Sequence, residues 1–101
     1  METPILIDFW TVESARRDEL VRRVSGLMHE HVLGRPGFVS AQIYESADGG
    51  SVMASVHMRT AKDRQHLTDS PEAHRAYREL RAIARTHARL YRLVESFGEG
   101  R

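Results

Sequence analysis

The sequence has no cysteine, three prolines and a single tryptophan in 101 residues. Without cysteine there is no disulfide framework, no thiolate zinc site and no cysteine nucleophile. The longest apolar run, Pro4 to Ile7, is far shorter than a signal-peptide core or a membrane span, and no basic residue precedes it. No membrane partner and a cytoplasmic location are the expectation. Neither sign of charge prevails: 15 Lys and Arg stand against 14 Asp and Glu, a net charge of +1. That balance argues against nucleic acid or an anionic membrane surface as the main partner. Helical histidine pairs at the i, i+4 spacing of a zinc site are missing too, since His29 and His31 splay to different faces. No metal site is expected.

What is present organises itself around the stretch from Gly34 to Met58, GRPGFVSAQIYESADGGSVMASVHM. Gly34 and Pro36 form a helix stop, glycine by accepting a left-handed conformation and proline by breaking the ladder. Phe38 to Glu45 is rich in β-branched and aromatic residues, and Asp48-Gly49-Gly50 supplies a hairpin turn before Val52 to Met58 runs back. These two segments read as antiparallel strands.

Upstream, Ile5 to Val12 reads as a strand with two largely apolar phases. Ile5, Ile7 and Phe9 make one; Leu6, Asp8 and Trp10 make the other. Both faces call for burial, and Asp8 is the ionisable group inside either set. From Ser14 to Leu33, the residues Leu20, Val24, Leu27, Met28 and Val32 mark one face of an amphipathic helix. Its capping is weak, because Arg17 rather than Glu follows Ser14 by three residues.

Downstream, Thr60 with Asp63 opens a short helix from Ala61 to about Leu67, and Ser70-Pro71-Glu72 opens a longer one. That longer helix is expected to carry Ala73, Tyr77, Leu80, Ala84 and His87 on one face and Arg75, Arg78, Arg81, Arg85 and Arg89 on the other. Tyr91 to Phe97 is expected to close the chain as a strand, with Tyr91, Leu93 and Phe97 on one side. The order β-α-β-β-α-α-β predicts a single α+β domain, 1–101, of the ferredoxin-like kind, an antiparallel sheet with helices on one face. At this length only roughly 60–65% of the unfolded surface can be buried. Ile5, Ile7, Phe9, Val39, Ala41 and Ile43 suggest apolar residues on both sides of the sheet, so the uncovered side is expected to pack against a second copy.

Among the ionisable residues, Asp8 stands out. A carboxylate among Leu6, Trp10 and helix side chains is desolvated, its pKa rises, and it can take a proton from a phenol or an activated methylene. The competing reading is an aspartate that bonds an arginine or a backbone group and holds the fold. Tyr77 and His87, with His74 on the same helix, could line a pocket as hydrogen-bonding groups or proton shuttles; a core tyrosine with a satisfied hydroxyl fits Tyr77 equally. Trp10 shares the parity of Asp8 and could stack on an aromatic ligand, though a core role is commoner. His57, of opposite parity to Ala54 and Met58, faces away from them. The arginine stripe is most simply a solvated helix face.

PGFVSAQIYESADGG, the strand after it, the short helix and DSPEAHRAYREL together resemble the antibiotic biosynthesis monooxygenase family, over about Ile5 to Phe97. The resemblance implies a dimeric α+β barrel, a homodimer with one pocket per subunit between sheet and helices. It implies oxidation of aromatic polyketides by molecular oxygen with no cofactor, neither metal nor flavin, in antibiotic or secondary-metabolite biosynthesis. Quinone-forming members carry an asparagine and a tryptophan four residues apart on the third strand; Ala54 and Met58 occupy those positions, and Asp8 occupies that of a first-strand asparagine. The resulting expectation is a cofactor-independent monooxygenase with Asp8 and Tyr77 as catalytic groups and Leu6, Trp10, Ala54, Met58, His74 and His87 around a small aromatic substrate. A cyclase or aromatase of the same fold, and a non-catalytic ligand-binding protein, are the alternatives.

Overall fold

In the computed structural model, which describes residues 4–98, the chain runs β1 (Ile5–Thr11), a 3-10 turn (Ser14–Arg16), α1 (Arg17–His31), β2 (Phe38–Glu45), β3 (Ser51–Met58), α2 (Ala61–Thr68), α3 (Pro71–Leu80) and β4 (Arg85–Tyr91). The strands form one antiparallel four-stranded sheet in the order β2-β3-β1-β4. This is the ferredoxin-like α+β fold expected from the sequence. No helix among the described residues is long and apolar enough to cross a membrane.

The registers assign the two faces. Leu6, Asp8 and Trp10 lie opposite Val56, Ala54 and Val52 of β3, so these six share the side that meets the helices. Ala41 and Ile43 of β2 stand opposite Val56 and Ala54 and pack into the same core. The helices supply Leu20, Val24, Met28, Leu67 and Leu80, all buried. Ile5, Ile7 and Phe9 point to the other side, which no helix among the described residues covers. Val39, at an irregularity between Phe38 and Ser40, is exposed.

Capping follows the local chemistry. Ser70 accepts from the backbone N–H of Ala73 with Pro71 at the first helical position, and Thr60 accepts from that of Asp63. The start of α1 has no side-chain cap and leads in through the 3-10 turn, while Asp18 and Glu19 favour its positive N-terminal end. The stop differs in detail from expectation. α1 gives way at Val32, whose N–H still bonds Met28, and the left-handed glycine is Gly37 (φ 85°), not Gly34. In the hairpin, Gly49 takes the positive φ, at 79°.

The third helix is shorter than its pattern suggests. It ends at Leu80, and i→i−3 bonds from Arg81, Ala82 and Ile83 tighten the exit. The expected helical residues Arg85, His87 and Arg89 instead form β4 together with Thr86 and Ala88, and Ala84 sits in the turn before it. The strand expected at Tyr91 to Phe97 is therefore displaced: only Tyr91 is in a strand, and Leu93, Val94 and Phe97 are exposed outside any element. The cause is tertiary. Pairing of residues 85–91 with all of β1 satisfies that strand's second edge, a gain that outweighs local helix propensity.

Gly37 ties the sheet to α2. Its carbonyl accepts from the Arg59 N–H, and a β-carbon there would lie 2.8 Å from Asp63 Cβ. Gly37→Ala therefore combines a left-handed non-glycine residue with displacement of the Asp63 carboxylate from the Thr60 hydroxyl. It should cost about 1–3 kcal/mol, measured by chemical denaturation; an unchanged midpoint would show that the turn relaxes freely.

Candidate active site

Between the helix-facing side of β1 and helices α1 and α3 lies a cavity of about 740 Å³. That volume falls within the range of small-molecule sites, roughly 300–1,000 Å³, large enough for a fused-ring ligand. Its walls are mainly apolar, with Leu6, Val24, Met28 and Trp10 among them. Among the hydroxyl and carboxyl residues of these walls, Asp8 from β1, Tyr77 from α3 and Thr86 from β4 converge, while Thr68 stands apart at the end of α2.

The three are connected. The Tyr77 hydroxyl donates to Asp8 Oδ1 at 2.8 Å and lies 2.9 Å from Thr86 Oγ1. A phenol has one proton, so when it donates to the carboxylate, the Thr86 hydroxyl must donate to Tyr77 Oη. Asp8 is only 9% exposed, and no ion pair to it occurs among the described residues. Burial pushes its pKa up to about 6; the Tyr77 hydrogen bond and the nearby His87 charge pull it back. An apolar site costs an isolated carboxylate several kcal/mol, against roughly 1.5–3 kcal/mol for a hydrogen bond to a charged group, so desolvation wins. Burial likewise pushes Tyr77 up to about 12, with the Thr86 bond opposing and the Asp8 carboxylate reinforcing. Tyr77 therefore remains a proton-bearing donor at neutral pH. The arrangement can accept a proton at one point and hold a donor beside it.

Aromatic and cationic groups frame this pair. The Trp10 and Tyr77 rings lie 6.3 Å apart with a 53° tilt, and the Arg81 guanidinium sits 5.3 Å over the Tyr77 ring. Trp10 is 2% exposed, which leaves little ring face for stacking, and its indole N–H has no partner among the described residues. A donor left in that state costs about 1–3 kcal/mol.

The structure brings Leu6, Asp8, Trp10, His74 and Tyr77 to the cavity walls. His74 bonds the Thr68 carbonyl through Nε2, so that nitrogen carries its proton. His87 differs from expectation: it belongs to β4, not to a helix, it stands opposite Phe9, and its ring stacks on Phe9 at 5.2 Å on the side of the sheet away from the helices, so only the β4 backbone at this position borders the cavity. Ala54 and Met58 lie on the same side of the sheet but are packed in the core, 1% and 0% exposed, and do not line the cavity. They occupy layers of the sheet filled by their neighbours. His57 stands opposite Ser40, on the side away from the helices. Two residues escaped the sequence reading. Thr86 was hidden because its segment has a helix-like pattern, and Arg81 because it reads as part of a solvated stripe; a β4 register opposite β1 would have revealed both the hydroxyl and the exit of α3.

No protein-family model and no curated protein matches the chain. Solved structures do. SnoaB, a cofactor-independent oxygenase from Streptomyces nogalater, is 16% identical with a TM-score of 0.75, over 98% of this chain and 100% of that one. A candidate antibiotic biosynthesis monooxygenase from Deinococcus radiodurans is 12% identical with a TM-score of 0.75, over 95% and 97%. A conserved protein from Methanosarcina mazei is 14% identical with a TM-score of 0.79, over 91% and 93%. The ferredoxin-like α+β domain is thus shared with these structures, and at these identities the likeness is one of fold.

The Asp8 shift has a consequence for stability. Its folded pKa of about 6 lies above the ordinary value of 3.8, so its stabilising contribution is complete below pH 3.8 and lost as pH rises through 6. Asp8→Asn keeps the acceptor for Tyr77 and removes the buried charge. It should stabilise the protein at pH 8 by about 1–3 kcal/mol, with the gain vanishing at pH 4, in denaturation curves at the two pH values. Destabilisation at pH 8 would identify the ionised carboxylate as a structural partner.

Proposed function

We propose that this protein is a cofactor-independent monooxygenase that acts on an aromatic polyketide-like substrate of the anthrone or hydroquinone type, as a cytoplasmic homodimer in antibiotic or secondary-metabolite biosynthesis. The observation that carries the reading is Asp8, a buried carboxyl with a pKa of about 6, bonded by Tyr77 in an apolar-walled cavity. The fold shared with SnoaB supports it.

In the proposed reaction Asp8 takes a proton from an activated methylene, leaving a delocalised carbanion. This electron-rich anion passes one electron to molecular oxygen, and the substrate radical and superoxide combine in a new C–O bond. Protonation gives a hydroperoxide; loss of the remaining C–H proton and cleavage of the O–O bond release water and leave a carbonyl. The sum is CH₂ plus O₂ to C=O plus H₂O, with the substrate as the sole reductant. Exclusion of water by the apolar walls favours the charge transfer and limits side reactions.

A cyclase reading shares the first step and diverges after it. It gains support from Ala54 and Met58, apolar and buried where the quinone-forming proteins that the chain resembles have an asparagine and a tryptophan. Ring closure needs the base and the donor but no oxygen.

Oxygen uptake with anthrone as substrate separates the two. On the proposed reading, product forms only in air and survives chelators, and kcat/KM rises with pH through about 6 as Asp8 ionises. Asp8→Asn should lower turnover by about 10²–10⁴-fold, the range for loss of one general base. Equal product formation under anaerobiosis would favour the cyclase, and binding without turnover of either kind would favour a ligand-binding protein.

The homodimer is supported by the open apolar side of the sheet, Ile5, Ile7 and Phe9, and by exposed Leu93, Val94 and Phe97. A stable interface there would bury roughly 1,600 Å² in total. Light scattering should give twice the chain mass at micromolar concentration; the mass of one chain would refute it.

A further inference from the structure

Resting on the homodimer reading, with the open side of the sheet as its interface, we propose that the assembly is acid-labile: His87 packs between the two copies as a neutral ring, and its protonation at mildly acidic pH drives them apart. The centre of that side is the apolar column Ile5, Ile7 and Phe9 of β1. A two-fold axis sets this column against its own copy, the self-complementary arrangement of an isologous interface. His87 stands opposite Phe9 and stacks on its ring at 5.2 Å, exposed in the single chain, so a copy that covers Phe9 covers His87 with it.

The charge on this side of the sheet has one sign. Arg85 and Arg89 flank His87 along β4, opposite Thr11 and Ile7. β3 adds His57, opposite Ser40, and β2 adds the neutral phenol of Tyr44, opposite Met53. No aspartate or glutamate of the four strands points this way. Whatever the angle between the copies, the partner's sheet therefore offers a protonated His87 only apolar, neutral or cationic neighbours. Glu95, the acid closest in sequence to β4, lies four residues past the end of that strand and outside any element. A charge taken out of water without a counter-ion is costly, so the neutral ring packs and the protonated ring does not. Histidine is the side chain whose ordinary change of charge falls between pH 5 and 8. Two attractions act on the charged ring, from the face of Phe9 and from Asp8 on the other side of the sheet. Both operate in the free subunit as well as in the dimer, so neither opposes dissociation.

Dissociation that takes up one proton at each His87 raises Kd by up to about 100-fold for each pH unit below the ordinary histidine value of about 6.5. Between pH 7.5 and 5.5 the dimer Kd should therefore increase by about 10²-fold, read by sedimentation equilibrium, with circular dichroism following the fold at each pH. His87→Gln should dimerise at both pH values with less than about a threefold difference, and His57→Gln should retain the dependence. His87→Lys carries its charge throughout this range and should weaken the dimer by about 10²-fold already at pH 7.5. A Kd that is equal at the two pH values, a dependence that survives His87→Gln, or one that His57→Gln removes would overturn the proposal and leave the homodimer in place. The mass of one chain at pH 7.5 would overturn both. If the chain unfolds at pH 5.5, the two His87 variants decide the matter at pH 7.5, where dimers of equal stability would overturn the proposal.

Discussion

Everything in this fold depends on β1 being paired along both edges. A strand at the centre of a sheet has no solvent for its backbone groups, so its N–H and C=O groups need partners on each side. Residues 5–11 find them in β3 on one side and in β4 on the other. That double constraint fixes which side chains face the helices, and it places Asp8 and Trp10 there without choice, because a slip of one residue would exchange them for Ile7 and Phe9. It also sets their neighbours. Thr86 comes opposite Trp10 and Ala88 opposite Asp8, and the small side chain of Ala88 leaves room where a larger one would close the cavity.

The first two-thirds of the chain was readable because its signals are local. The alternation in Ile5 to Trp10, the Asp48-Gly49-Gly50 turn and the caps at Thr60 and Ser70 each act within a few residues, and each stands where it was expected. The last third was not readable for a physical reason. Between Leu80 and Thr86 there is neither glycine nor proline, and the run Arg81-Ala82-Ile83-Ala84 is compatible with a helix. What ends α3 is a distant edge of β1, invisible to any local pattern. The site inherits the same division. Asp8 was legible as an oddity in an apolar strand, and Tyr77 by its helix facing; Thr86 was not, since its role exists only once β4 does.

The site and the fold pull in opposite directions at Asp8. A cation beside the carboxyl would secure it structurally and hold its pKa low, which would weaken it as a base. Instead its hydrogen-bond partner is a neutral phenol, and the cations of the neighbourhood stay at the periphery. Such a carboxyl reduces stability at neutral pH while gaining the proton affinity that general-base chemistry requires. The packed core around Leu20, Val24, Val52 and Met58, all but inaccessible, is what the molecule has available to offset it.

The order of donation from Thr86 to Tyr77 to Asp8 has a direction as well as a length. In the proposed reaction, with Oδ1 already accepting from the phenol, Oδ2 would be the oxygen that takes the proton. A flat ring system resting in the cavity would then meet that oxygen from one face. The two hydrogens of a methylene in the ring are then no longer equivalent to the protein: one points at the base and the other points away. Proton removal would then be a stereochemical event, even when the product, once flat, bears no trace of which hydrogen left.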